Sequence, residues 1–148
     1  MAKKNKIRLI GRREFINFLS LDISQVEAKI DTGAYTSSLH CENITINYEN
    51  SKPILYFTIE LGEPKTFRFE EYTQKKIKNS FGEMEERYVI KTLVQIGRKK
   101  INATISLSNR DNMRYPVLIG RRLLKAKFLI DVNQIHTNGF NLKKSPTL

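Results

Sequence analysis

The sequence lacks several of the features by which a chain of this size announces its chemistry. It has a single cysteine, Cys41, so no internal disulfide can form. No apolar run is long enough to span a bilayer, and the N-terminus, MAKKNKIRLIGRREF, has basic residues without the continuous apolar stretch of a secretory leader. A soluble cytoplasmic protein with no membrane association is expected. There is no His-Glu-x-x-His pairing for a catalytic zinc and no glycine-rich Lys-Ser/Thr loop for a nucleotide triphosphate, so no cofactor is expected. Aromatic residues make up only 9% and do not interleave with basic ones as in a single-strand binding platform.

Acidic residues are also scarce. Against 26 Lys and Arg stand 15 Asp and Glu, a net charge of +11 that attracts anionic partners without choosing among nucleic acid, membrane surface and acidic peptide. The cations come in small scattered groups, among them Lys75, Lys76 and Lys78, and Arg121 and Arg122, rather than along one helix face. A solvated basic surface is therefore preferred over nucleic-acid binding.

What is present reads as strand. The 148 residues, 40% apolar, suit one domain with a core of its own, fraying near residues 1–6 and 140–148. In INATISL (101–107), Ile101, Ala103, Ile105 and Leu107 alternate with Asn102, Thr104 and Ser106, the period of a strand with one buried face. β-Branched and aromatic runs lie at 54–60, 66–70, 87–96 and 128–132, with turn residues at 79–82 and 97–100 between neighbours. Only RRLLKAKF (121–128), directly after Gly120, has helical spacing. The expected class is all-β with one short helix near the C-terminus.

KIDTGAYTSSLHC (29–41) carries the chemistry. If 28–31 is a strand, Ala28 and Ile30 face one side, while Lys29 and Asp31 face the other, and the carboxylate emerges at the strand end. Gly33 permits a tight turn in which its own N–H and that of Ala34 can approach the carboxylate, and the Thr32 hydroxyl can brace the loop. An aspartic protease requires such a loop. Asp-Thr-Gly is also a common turn. His40 and Cys41 are adjacent, so on a strand they point to opposite faces and do not share a metal; one is expected in the core and the other at the surface.

The order of motifs narrows the reading. Asp-Thr-Gly-Ala, then a hairpin at 76–91 with Phe81-Gly82 at its tip, then an apolar pair, Gly120, Arg121 and a helix, resembles the retroviral-type aspartic proteases, the retropepsins. IGRREF, AKIDTGAYTSSLHC, SNRDNMRYPVLIGRRLL and FLID are more closely similar to a bacterial retropepsin-like family that bears the label ATP-dependent zinc protease and is often encoded beside glutamate-adding ATP-grasp ligases. The resemblance covers residues 10–132. It implies a retropepsin-like closed barrel with one short C-terminal helix, Asp31 as catalytic carboxylate, and a flap hairpin over the substrate. It gives Thr32 the role of bracing the partner's loop, makes Gly120 and Arg121 structural, and leaves Asn109, Arg110 and Asp111 as a turn. Tyr35 stands where that family commonly has a basic residue, and the hairpin tip lacks the glycine-rich run of retroviral flaps.

Aspartic catalysis needs two carboxylates sharing a proton. No second Asp-Thr-Gly or Asp-Ser-Gly exists, so an active enzyme has to be a homodimer with one Asp31 from each chain. The substrate would be a peptide or protein, and charge together with the ligase association suggests an acidic one, steered by Lys29, Arg87 or Arg110, with Phe81 at the flap tip as a further contact. Two other classes stay open: a protease-fold binding module without turnover, and a basic accessory protein of nucleic acid or the ribosome.

Overall fold

The computed structural model describes residues 6–79, 81–109 and 114–137. Strands make up most of the described residues and enclose one apolar core. β1 (Arg8–Gly11) and β2 (Arg13–Phe18) lead through a 3₁₀ turn (Leu19–Leu21) to β3 (Ile23–Ile30), which ends at the Asp-Thr-Gly loop. β4 (Ser37–His40) leaves that loop. β5 (Glu42–Glu49), β6 (Lys52–Leu61) and β7 (Glu63–Phe69) form a three-stranded meander. A long hairpin follows, β8 (Thr73–Lys78) and β9 (Met84–Ile96), then β10 (Lys99–Ser108), β11 (Val117–Ile119), the single-turn helix α1 (Arg121–Leu124) and β12 (Phe128–Asp131).

The main sheet runs β10-β4-β11-β3-β2-β9, and β9 pairs back onto β10, so six strands close into a barrel with β8 added outside β9. Closure removes the open edges that an alternating sheet would otherwise present. The alternation of β10 explains its place: Ile101, Ala103, Ile105 and Leu107 are all buried. Ser106, on the polar register, is buried too, because β10 is flanked by β9 and β4 and its hydroxyl donates to the Ser37 carbonyl at 3.2 Å. Leu55, Phe57 and Ile59 of β6 join the same core, with Phe67 and Phe69 packed on Phe57.

The helix is shorter than its sequence pattern. It stops at Leu124, Lys125 to Lys127 turn with Ala126 at φ 65°, and Phe128 opens β12, which pairs in parallel with β1. Parallel pairing to the N-terminal strand thus wins over the helical spacing of 121–128, and its apolar residues Leu123, Leu124 and Phe128 are buried in the turn-and-strand conformation adopted. The stretches expected to fray, 1–6 and 140–148, lie outside the described residues apart from Lys6.

IGRREF has a structural task. The Glu14 side chain is fully buried and accepts hydrogen bonds from the Gly11 N–H (2.6 Å), the Thr137 N–H (2.9 Å) and the Thr137 hydroxyl (2.7 Å). Residues 132–137 are laid across this segment: Arg12 N–H donates to the Gln134 carbonyl at 2.9 Å, and His136 N–H to the Arg13 carbonyl at 2.8 Å. Gly11 has no room for a side chain because the Gln134 backbone lies against it. A carboxylate can accept from all three donors, whereas an amide turns its NH₂ toward some of them. Glu14→Gln is therefore expected to lower the unfolding free energy by about 2–3 kcal/mol. Urea unfolding measures it, and an unchanged midpoint and slope would contradict the role given to Glu14.

Candidate active site

β3 and β11 run parallel in the barrel wall, with Ile30 opposite Ile119, so the two chains leave the wall side by side. Asp31 is the first residue beyond β3 and Gly120 the first beyond β11. Asp31 N–H donates to the Ile119 carbonyl at 2.8 Å. Arg121 N–H donates to the Ala34 carbonyl at 2.8 Å and Arg122 N–H to the Tyr35 carbonyl at 3.0 Å, while Gly120 N–H donates to the Ser37 hydroxyl at 2.9 Å. The first turn of α1 is thus stitched to the Asp-Thr-Gly loop.

Within the loop, Gly33 N–H donates to Oδ1 of Asp31 at 3.0 Å. The Ala34 N–H, expected at the carboxylate, instead closes the turn on the Asp31 main-chain carbonyl at 3.2 Å, because the loop tightens over its own backbone. Arg121, given a structural role by the resemblance, makes its contacts within the chain to the loop itself. Its guanidinium donates to the Thr32 carbonyl at 2.8 Å and lies 5.8 Å from the centre of the Tyr35 ring. Thr32 is exposed, at the outer surface of the loop.

Asp31 sits in a groove of about 590 Å³ between this loop and the β8–β9 hairpin. Gly33, Ala34, Tyr35, Thr36 and Ser38 line one side, and Lys76, Ile77, Lys78, Asn79 and Arg87 the other. The hairpin tip is held by Asn79, whose side-chain oxygen accepts from the N–H groups of Phe81 (2.9 Å) and Glu83 (3.0 Å), with Gly82 at φ 82°. Of the residues singled out from sequence, Asp31, Gly33, Ala34 and Arg87 reach the groove, and Arg87 is tied to Glu85 at 2.8 Å. Lys29 and Phe81 are exposed and do not line it. Arg110 and Asp111 fall outside the described residues. Lys76 and Lys78 were visible only as part of a basic cluster; that they line the groove depends on how the hairpin folds over. Ser37 carried no signal at all, since its role is to receive the Gly120 N–H across 83 residues of sequence.

His40 and Cys41 do separate to surface and core. Cys41 is fully buried, and burial pushes its thiol up to about 12, far from the thiolate that binds metal. His40 faces Glu42 at 3.8 Å. Among the described residues no three His, Cys, Asp or Glu side chains gather where a metal could sit, so they do not fit the zinc centre that the family label implies.

A closed barrel whose Asp-Thr-Gly loop is braced on an apolar-apolar-Gly-Arg segment defines a retropepsin-like chain. Residues 9–140 match the RimB-like family, described as retropepsin-like aspartic endopeptidase RimB, and the chain belongs to that family. It is 34% identical over 131 residues to a protein of Shewanella halifaxensis named Probable alpha-L-glutamate ligase, the match covering 85% of this chain and 29% of that protein. A protein of the same name from Desulfotalea psychrophila is 32% identical over 129 residues, covering 84% and 28%. The chain thus spans less than a third of these relatives. A Legionella pneumophila protein of unknown function, solved by crystallography, superposes with a TM-score of 0.74 at 27% identity over 90% of this chain and 99% of its own.

Gly120 is where loop and helix come closest. A Cβ there would lie 2.7 Å from the Tyr35 carbonyl oxygen and 2.8 Å from that of Ala34, both backbone atoms that cannot yield without breaking the stitching. Gly120→Ala is expected to cost about 2–3 kcal/mol of stability and to speed amide exchange at Arg121 and Arg122. Wild-type stability together with wild-type exchange at those two amides would contradict this account.

Proposed function

We propose that this chain is an aspartic endopeptidase that works as a homodimer, each protomer contributing one Asp31. The observation that carries the reading is Asp31 itself: a half-exposed carboxylate on a loop pinned by main-chain hydrogen bonds, in a groove roofed by a hairpin. One such carboxylate cannot act as acid and base at once. Two copies meeting across a two-fold axis can, because carboxylates about 3 Å apart do not both ionise and so hold one proton between them. The ionised Asp31 takes a proton from a water molecule as its oxygen attacks the scissile carbonyl carbon. The protonated Asp31 gives its proton to the carbonyl oxygen, and a tetrahedral diol results. Collapse of the diol, with proton transfer to the amide nitrogen, expels the amine and regenerates the dyad. Gly33 N–H would hold one carboxylate oxygen in place, and Thr32, at the loop's exposed surface, would brace the partner's loop.

The groove suits an extended, acidic peptide. Lys76, Lys78 and Arg87 line it, and a field of +11 draws anions toward it. The relatives' name adds a chemical argument: in them a module like this one is part of a longer chain named for glutamate ligation, and a peptidase for glutamate-rich chains would reverse such an addition.

Asp31→Asn is nearly isosteric but cannot serve as the dyad's acid and base. It is expected to abolish peptide hydrolysis while leaving the circular dichroism spectrum and unfolding midpoint unchanged, and pepstatin-type inhibitors should suppress the wild-type protein to the same background. Equal cleavage by the Asn variant, or loss of turnover with a chelator and its return with zinc, would overturn the aspartic mechanism. A folded wild-type protein that binds but never cleaves acidic peptides would favour a binding module.

A further inference from the structure

The barrel carries a second cleft of about 600 Å³, away from Asp31, lined by Tyr72, Thr73, Lys75, Lys91, Thr104 and Arg122, with Glu70 and Glu71 also in its wall. Its position is set by the same hairpin that roofs the groove. On one face of that hairpin, Thr73, Lys75 and Ile77 of β8 lie opposite Val89, Arg87 and Glu85 of β9. Ile77 and Arg87 line the Asp31 groove, and Thr73, Lys75 and Val89 line the second cleft. Lys75 and Arg87 are direct cross-strand partners, so the two depressions abut at that pair. They abut again at α1, where Arg122, in the second cleft, donates its N–H to the carbonyl of Tyr35, in the groove.

The charge of the second cleft is unspent. Lys75, Lys91 and Arg122 are exposed, and within the described residues none is in an ion pair. Glu70 is committed to Lys52 at 3.0 Å and Arg68 at 2.9 Å, leaving Glu71 as the one carboxylate there not so engaged. Thr73 and Thr104 line the cleft beside them, while the Tyr72 hydroxyl donates to the Pro53 carbonyl at 3.4 Å.

We infer that the second cleft is an extension of the substrate groove, in which Lys75, Lys91 and Arg122 hold the carboxylates of an acidic peptide several residues beyond the bond at Asp31. This rests on the peptidase reading and adds to it a dependence on substrate length. An extended peptide advances ~3.4 Å per residue, so about four residues span ~14 Å and about twelve span ~41 Å, and the longer acidic chain is the one able to occupy the groove and the second set of cations together. The cleft selects long acidic chains over short ones and grips them while the end at Asp31 is cut.

Binding measured with the Asp31→Asn protein separates this from catalysis. Fluorescein-labelled oligo-L-glutamates of about four and about twelve residues are titrated by anisotropy, at low and high salt. The longer peptide is expected to bind about tenfold more tightly at low salt, and the advantage to vanish in Lys75→Ala/Lys91→Ala/Arg122→Ala and at high salt. Thermal unfolding checks that the triple variant is folded, and the salt arm stands without it. Equal affinity for both lengths, an advantage that survives in the folded triple variant, or displacement of the long peptide by poly(U) of equal charge at lower concentration would each overturn the extension. Hydrolysis by the wild-type protein is assayed in parallel: its absence defeats the peptidase reading, whereas the length dependence of binding judges the cleft alone.

Discussion

The site rests on one local contact, the stitching of the chain that leaves β3 to the chain that leaves β11. Four hydrogen bonds, from the N–H groups of Asp31, Gly120, Arg121 and Arg122, join segments 83 to 88 residues apart in sequence. Short reactive loops are ordinarily the mobile parts of a fold. Here the loop's carbonyls are spent on the first turn of a helix, and the Arg121 guanidinium closes the remaining side on Thr32. The carboxylate is thereby fixed without being buried, as the proposed pairing with water and a second Asp31 would require.

That contact is itself a product of barrel closure. β11 is only three residues long, yet it is held between β3 and β4, parallel to one and antiparallel to the other. Its two ends cannot shift register without turning Val117 and Ile119 out of the core. Glu14 plays the corresponding part at the chain termini, gathering the 132–137 segment onto β1 and β2. The hairpin that roofs the groove belongs to the same closed surface, since β9 is a barrel strand along its second half and a hairpin strand along its first.

Much of this was legible in the residues, and the parts that were not share a cause. The period-two pattern of β10 marks a strand because burial on one face writes itself into every second residue, β6 and β9 are marked by their β-branched and aromatic runs, and Asp-Thr-Gly followed much later by an apolar pair, Gly and Arg carries the family resemblance. The truncation of α1 was hidden, because Leu123, Leu124 and Phe128 satisfy a helix as well as a turn followed by a strand. The partner of Arg121 was hidden too, a carbonyl rather than a carboxylate, since main-chain acceptors leave no trace in sequence. Lys29 looked close to Asp31 by strand parity. The groove lies instead toward the hairpin, where Lys76 and Lys78 come in from a distant part of the chain. Local periodicity is written residue by residue, whereas the composition of a groove depends on which way a hairpin folds.

The central claim is that the working site contains one Asp31 from each of two chains, and subunit mixing tests it most directly. Wild-type and Asp31→Asn protein are combined in equal amounts, dissociated and reassociated at a fixed total concentration, and the hydrolysis rate is compared with that of pure wild type. If both carboxylates of the dyad are needed, only dimers with two wild-type protomers turn over, and activity falls to about one quarter. Activity falling only to about one half would mean that each chain works with its own Asp31, and would contradict the account.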